Sequence, residues 1–289
     1  MKFKKVGLVL GGGGGKGSYQ IGVYKYLKER GFVAQIQGIS ANSIGALNLS
    51  LLASGNVEMA EEIWTGLKRS QILTLKNVRE YFQKGSFSIF SREGMLAIFQ
   101  DIDLTTLSNS SLDLFVSTYD ETVGRGEIFK LSQQSVGDII KIISASSAIP
   151  KVFPPVLIND HQYSDGYQSD NCPIQPLIKE QYDLIFVIPL GSNGAPRPKE
   201  YQTTHIIDFV DETVLESGTW KGTLGFDAKI SLERIQQGYD NAKQLIEYLE
   251  SIDYFETSIW ERIKEWWRTK IRHLPPKYAN YYCLKDIKK

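Results

Sequence analysis

Two side chains and one backbone run in this sequence have the types and surroundings that acyl transfer needs. The first is Ser43, inside Gly38-Ile39-Ser40-Ala41-Asn42-Ser43-Ile44-Gly45. It sits where a strand turns into a helix, with small residues at 41 and 45 that permit a sharp elbow. The helix that starts at Ile44 points its positive end at the hydroxyl. The same position also suits an ordinary helix N-cap. The backbone run is Gly11-Gly12-Gly13-Gly14-Gly15-Lys16-Gly17, which follows the apolar Gly7-Leu8-Val9-Leu10. Glycines let successive N–H groups converge on one point, and such donors stabilise an oxyanion by about 3 kcal/mol each in the transition state. A simple strand-to-helix turn would need fewer of them.

Nucleotide binding fits this glycine run poorly. Gly12–Gly17 has the spacing G-x-G-x-x-G, but the second strand ends in Gln35, Gln37, Gly38 and Ser40, with no carboxylate to hold a ribose. A Walker A loop would need Ser or Thr after Lys16, where Gly17 stands, and glycine at position 10, where Leu10 stands.

A serine nucleophile needs a base, and histidine is its usual one. His161, His205 and His273 are the three histidines, and none has a Ser/Asp-rich context; His161, four residues before Asp165, is the least unsuitable and reads as a hairpin surface residue. The second side chain is therefore Asp165, in Tyr163-Ser164-Asp165-Gly166-Tyr167, after a strand and before a glycine turn. A buried carboxylate can serve as base. A lone Asp-Gly can equally be a turn.

The elements that must position these residues follow from periodicity. Helices are expected over Ser18–Glu29, Ile44–Ala53, Asn56–Lys68 with Asn56 as N-cap, Ser91–Phe99, Val136–Ser146 and Asp227–Glu250. Strands are expected at Ala34–Ile39, at Leu112–Tyr119 and Glu127–Leu131 around a Thr122–Gly126 turn, at His205–Val210, and within Val156–Ser164 as a hairpin around Asn159-Asp160. Leu184–Pro189 is a continuous apolar run of the kind found in central parallel strands. Strands alternating with helices predict an α/β fold, a mostly parallel sheet covered on both faces. No repeat, linker or charge break divides the chain, so residues 1–289 read as one domain, with a core of about 5–210 and a helical region of about 227–289.

Composition narrows the function classes. The 289 residues are 42% hydrophobic, enough for a sizeable core, and Lys plus Arg equals Asp plus Glu at 33 each. No overall field recruits nucleic acid, and none is expected as a partner. Cys172 and Cys283 are too few for a disulfide framework, and Cys172 reads as a small buried residue. Neither a His/Cys cluster nor a calcium-loop pattern is present, so no metal or cofactor is called for. Lys2, Lys4 and Lys5 precede an apolar stretch too short for a signal peptide, and no run reaches the length of a membrane span. The expected location is cytoplasmic, with room for peripheral attachment to a membrane surface.

Taken together, the motifs resemble the patatin-like phospholipase family. Gly7–Gly17 resembles its glycine-rich oxyanion loop, and Ala41-Asn42-Ser43-Ile44-Gly45-Ala46-Leu47-Asn48 its nucleophile elbow. Ser144–Pro155 resembles the segment before its acid, and Asp165-Gly166-Tyr167 with Asn171–Leu177 its Asp-Gly motif and trailing proline segment. Order and spacing agree over roughly residues 6–190. The resemblance implies a three-layer α/β/α fold and a Ser43–Asp165 dyad without histidine. It also implies oxyanion donors at Gly12, Gly13, Gly14 and Ile44, and a lipid or other ester substrate. Three positions depart from the family pattern: Ala41 for the first elbow glycine, Asn42 for a residue often Thr or Ala, and Tyr167 for Gly or Ala. Other readings are an acyltransferase or thioesterase on lipid substrates, and a lipid-binding protein with little turnover.

One segment stands apart. Ile259, Trp260, Ile263, Trp266, Trp267 and Ile271 form an apolar stripe beside Arg262, Lys264, Arg268, Lys270 and Arg272. A basic amphipathic helix with tryptophans suits a bilayer interface, so residues 259–273 are a candidate membrane contact. Docking in the core is the commoner fate of such a helix.

Overall fold

Val6–Leu10 (β1) is buried along its whole length, as a strand flanked on both sides and covered on both faces must be. It pairs in parallel with Ile36–Asn42 (β2) on one side and with Leu184–Ile188 (β7) on the other. The computed structural model describes residues 2–54, 56–66, 97, 99, 102–191, 204–210, 225–256 and 281–284. Nine strands form one sheet among them, in the order β5-β6-β3-β2-β1-β7-β8-β9, with β4 attached to β3. The remaining strands are Asp113–Asp120 (β3), Arg125–Lys130 (β4), Val156–Ile158 (β5), His161–Asp165 (β6), His205–Asp208 (β8) and Tyr281–Cys283 (β9). Pairings among β3, β2, β1, β7, β8 and β9 are parallel, and those of β3 with β4, β3 with β6 and β5 with β6 are antiparallel.

Side chains alternate across the sheet as a strand period of two requires. Val6, Leu8 and Leu10, with Leu184, Phe186 and Ile188, face the larger core. Val9, Ile185 and Val187 face a smaller one. The helices are Ser18–Glu29 (α1), Ile44–Ala53 (α2), Val57–Gly66 (α3), Thr105–Ser108 (α4), Val136–Ser146 (α5), Gln175–Lys179 (α6) and Ala228–Ser251 (α7). Buried residues of α1, α2, α3, α5 and α7 fill the larger core. Ile174, Leu177 and Tyr182, in and around α6, fill the smaller one on the opposite face. The α/β/α layering expected from the sequence is therefore present.

α2 is buried from Ile44 to Leu52, which explains its mostly apolar composition: it has no solvent face to serve, and its polar members Asn48 and Ser50 are hydrogen-bonded. Asn56 caps α3 through Oδ1, which accepts the Met59 N–H at 2.8 Å, and Asp227 caps α7 through the Lys229 and Ile230 amides. Asn159 and Asp160 both have positive φ, 47° and 65°, as the two-residue β5–β6 hairpin requires. Within the region read as helical beyond 227, Tyr281–Cys283 instead extends the sheet beside β8. Three residues are too few to show a period, though aromatic neighbours favour strand. The Ser91–Phe99 helix falls almost entirely outside the described residues, and the 259–273 stripe wholly so. No helix among the described residues is long and apolar enough to cross a membrane.

Candidate active site

β3 brings the site together. Its residues 113–117 pair with Gly38–Asn42 of β2, while 118–120 pair with Asp165–Tyr163 of β6. β4 occupies the other side of β3 over residues 115–120, so β2 and β6 must share one side, end to end. They run in opposite senses, and both terminate at the same point. Asn42 and Ser43 leave β2 there, and Asp165 ends β6.

Ser43 lies at φ 54° and ψ −126°, a left-handed conformation that a non-glycine residue adopts at a cost of about 1–3 kcal/mol. Its side chain makes no capping bond to α2, which sets aside the N-cap reading. Instead Ser43 Oγ donates to Asp165 Oδ2 at 2.6 Å. Three consecutive residues at the C-terminal end of α5 hold both backbones. Ser146 Oγ accepts the Ser43 N–H at 2.8 Å, Ser147 Oγ donates to the Ser43 carbonyl at 3.3 Å, and the Ala148 carbonyl accepts the Asp165 N–H at 3.0 Å. Ala41, by contrast, stays within extended β2 between Leu10 and Val116, where an alanine is under no strain. The turn does need glycine at Gly45, because a Cβ there would collide with the Leu10 carbonyl.

Asp165 is 1% exposed. Burial disfavours its charged form and pushes its pKa up to about 6 from the usual 3.8, against the opposing effect of hydrogen bonds from Ser43, the Tyr167 amide and Asn42. Asp165 Oδ1 accepts from Tyr167 N at 3.0 Å and from Asn42 Nδ2 at 3.2 Å. The Asp-Gly turn exists, since Asp165 caps the 3-10 turn Gly166–Gln168, and the same carboxylate still reaches Ser43.

The glycine run is held by its carbonyls. Gln20 Nε2 donates to Gly11 O, Asn171 Nδ2 to Gly12 O, Lys16 N to Gly13 O, Arg234 Nη1 to Gly15 O and Asn48 Nδ2 to Gly17 O. Asn48 in turn accepts from Trp64 and donates to Gln20, a buried chain joining α1, α2 and α3. With the carbonyls engaged, the amides of Gly13, Gly14 and Ile44 have no acceptor among the described residues. Gly12 differs from the expectation: its N–H donates to Asn171 O at 3.0 Å. It packs closely against the elbow, since a Cβ there would meet Asn42 Nδ2 at 2.8 Å and fall 2.9 Å from Ser43 Cβ.

The histidines lie elsewhere. His161 Nδ1 is 2.6 Å from Asp120 Oδ2, and His205 Nδ1 is 2.7 Å from Tyr254 Oη, its pKa lowered to about 4 by burial. His273 is outside the described residues. Cys172 and Cys283 are buried and unbridged. Asn42, Asn171, Ser146 and Ser147 carry the site's hydrogen bonds, yet the two asparagines can act as neither nucleophile nor base and the two serines lie at no strand-to-helix elbow, so only pairing across the fold reveals them.

Residues 8–178 match the family described as Patatin-like phospholipase. The chain is 28% identical over 202 residues to a protein named Lysophospholipase NTE1 from Cryptococcus neoformans var. neoformans, covering 68% of this chain and 12% of that protein. It is also 28% identical over 194 residues to an uncharacterized NTE family protein of Mycobacterium tuberculosis, covering 66% of this chain and 51% of that one. The chain thus spans about half or less of the length of these relatives. VipD from Legionella pneumophila superposes with a TM-score of 0.46 at 17% identity, over 68% of this chain and 51% of that one.

Proposed function

The chain belongs to the patatin-like phospholipase family, and on that premise we propose that it is a lipid acyl hydrolase acting through a Ser43–Asp165 dyad. The observation that carries this reading is the 2.6 Å hydrogen bond from Ser43 Oγ to Asp165 Oδ2 at a strained strand-to-helix elbow. Ser43 Oγ attacks the ester carbonyl carbon as its proton passes to Asp165 Oδ2. The carbonyl oxygen becomes an oxyanion, which the amides of Gly13, Gly14 and Ile44 stabilise; Gly12 supports the loop rather than donating. The intermediate collapses, the alkoxide leaving group takes the proton from Asp165, and the acyl group stays on Ser43. Water then attacks the acyl-serine while Asp165 accepts its proton, and Ser43 regains a proton as the fatty acid departs.

A carboxylate base of ordinary pKa would bind a proton too weakly to assist much, and burial corrects this by raising Asp165 to about 6. Departures at Ala41, Asn42 and Tyr167 remove no reacting group. Mass spectrometry of products from a mixed lipid extract tests the reading. Free fatty acid and a deacylated lipid are expected, both absent with Ser43→Ala. An acyl-bearing alcohol or thiol product would indicate an acyltransferase, and an unchanged extract a binding protein.

A further inference from the structure

Asn42 is fully buried, and its amide nitrogen makes two hydrogen bonds that diverge. One N–H is directed to Asp165 Oδ1 at 3.2 Å, the other to Asn171 Oδ1 at 3.0 Å. Asn171 holds Gly12 twice, by donating Nδ2 to the Gly12 carbonyl and accepting the Gly12 N–H on its own carbonyl, each at 3.0 Å. The amide oxygen of Asn42 faces Ser146 Oγ, 3.5 Å away, and abuts Gly166, where a Cβ would strike it. A primary amide has two donors at a fixed angle; a hydroxyl has one and a carboxylate none.

We propose that Asn42 is a positioning residue that ties the base to the glycine loop through Asn171, so that Asp165 and the oxyanion donors move as one unit. The proposal rests on the dyad reading above. It accounts for the departure at position 42, since a threonine or alanine cannot bridge both partners. Because the bond from Asn42 favours an ionised Asp165, loss of that donor also raises the pH at which the base loses its proton.

The test is the pH dependence of kcat/KM on a short soluble ester for Asn42→Ala, Asn42→Thr, Asn171→Ala and the Asn42→Ala/Asn171→Ala pair, beside Ser43→Ala. Losing a hydrogen bond to a charged group should raise the acid limb by about one pH unit in Asn42→Ala. Asn171→Ala should lower kcat with the limb unmoved, and the double variant should lose less than the product of the single losses. If Asn42→Ala does not fold, Asn42→Thr decides: its hydroxyl ends one bond nearer the backbone, and the limb should still rise. A folded Asn42 variant whose limb coincides with the parent's, or fully additive losses, overturns the proposal. Undiminished turnover by Ser43→Ala would instead overturn the dyad.

Discussion

Asn42 and Asp165 occupy consecutive rungs on one side of β3, Asn42 opposite Ser117 and Asp165 opposite Thr118. Two strands running in opposite senses meet there end to end. One hands the chain to α2 through Ser43, and the other stops at Asp165. Ser43 Oγ and Asp165 Oδ2 therefore meet at 2.6 Å without a long side chain to bridge a gap, and in the proposed dyad aspartate suffices where histidine would ordinarily stand. Ser146, Ser147 and Ala148 close the junction from one side, and Gly12 from the other.

Activity should fall as pH drops through about 6, because Asp165 accepts a proton only when ionised and burial has moved it there. A kcat/KM profile on a soluble ester checks this. A limb near the ordinary carboxylate value of 3.8 would mean that Asp165 is not the base.

Asp165→Asn should abolish turnover yet stabilise the fold near neutral pH. A carboxyl whose pKa rises on folding contributes stability below its unfolded value, and that contribution is lost as pH rises through the folded one. From 3.8 to about 6, the loss is about 3 kcal/mol. The variant should therefore resist urea better than the parent at pH 8, with the advantage shrinking towards pH 4. Equal midpoints at pH 8 would contradict the raised pKa.

Gly14→Val should lower kcat by about a hundredfold with KM little changed, because oxyanion donors act on charge that develops only in the transition state. Gly14 has φ 58°, which a β-branched residue cannot hold without redirecting its amide. Steady-state kinetics on folded variant distinguish this from a loop that merely connects.

Ser146→Ala leaves the buried Ser43 N–H without its acceptor and should cost about 1–3 kcal/mol of stability. Ser147→Ala should cost less, since its single proton is shared with the nearer Ile143 carbonyl at 2.9 Å and the Ser43 carbonyl keeps the Ala46 N–H. Urea midpoints of the two variants rank them.

The elements that carry the site are legible in the sequence because they repeat a simple pattern. Ser18–Glu29, Ile44–Ala53 and Val136–Ser146 match the helices read from apolar spacing, and the β5–β6 turn falls at Asn159-Asp160. Ser43 and Asp165 stand out by residue type and turn context, and the fold sets them side by side. What cannot be read is what depends on distant pairing. In the sequence alone, Asn42 is a departure from a motif and Asn171 is part of a proline segment. Their roles follow from β6 and β2 sharing one side of β3, which no local pattern encodes. Gly12 reads as a donor for the same reason: only Asn171, 159 residues away, reveals that its amide is engaged.

The most direct measurement is labelling by a fluorophosphonate, followed by peptide mass spectrometry to locate the adduct. The dyad account predicts stoichiometric modification at Ser43, loss of esterase activity in step with labelling, and no adduct in Ser43→Ala. Asp165→Asn should label far more slowly than the parent. An adduct on any other residue, or a parent protein that hydrolyses ester while its Ser43 peptide remains unmodified, would contradict it.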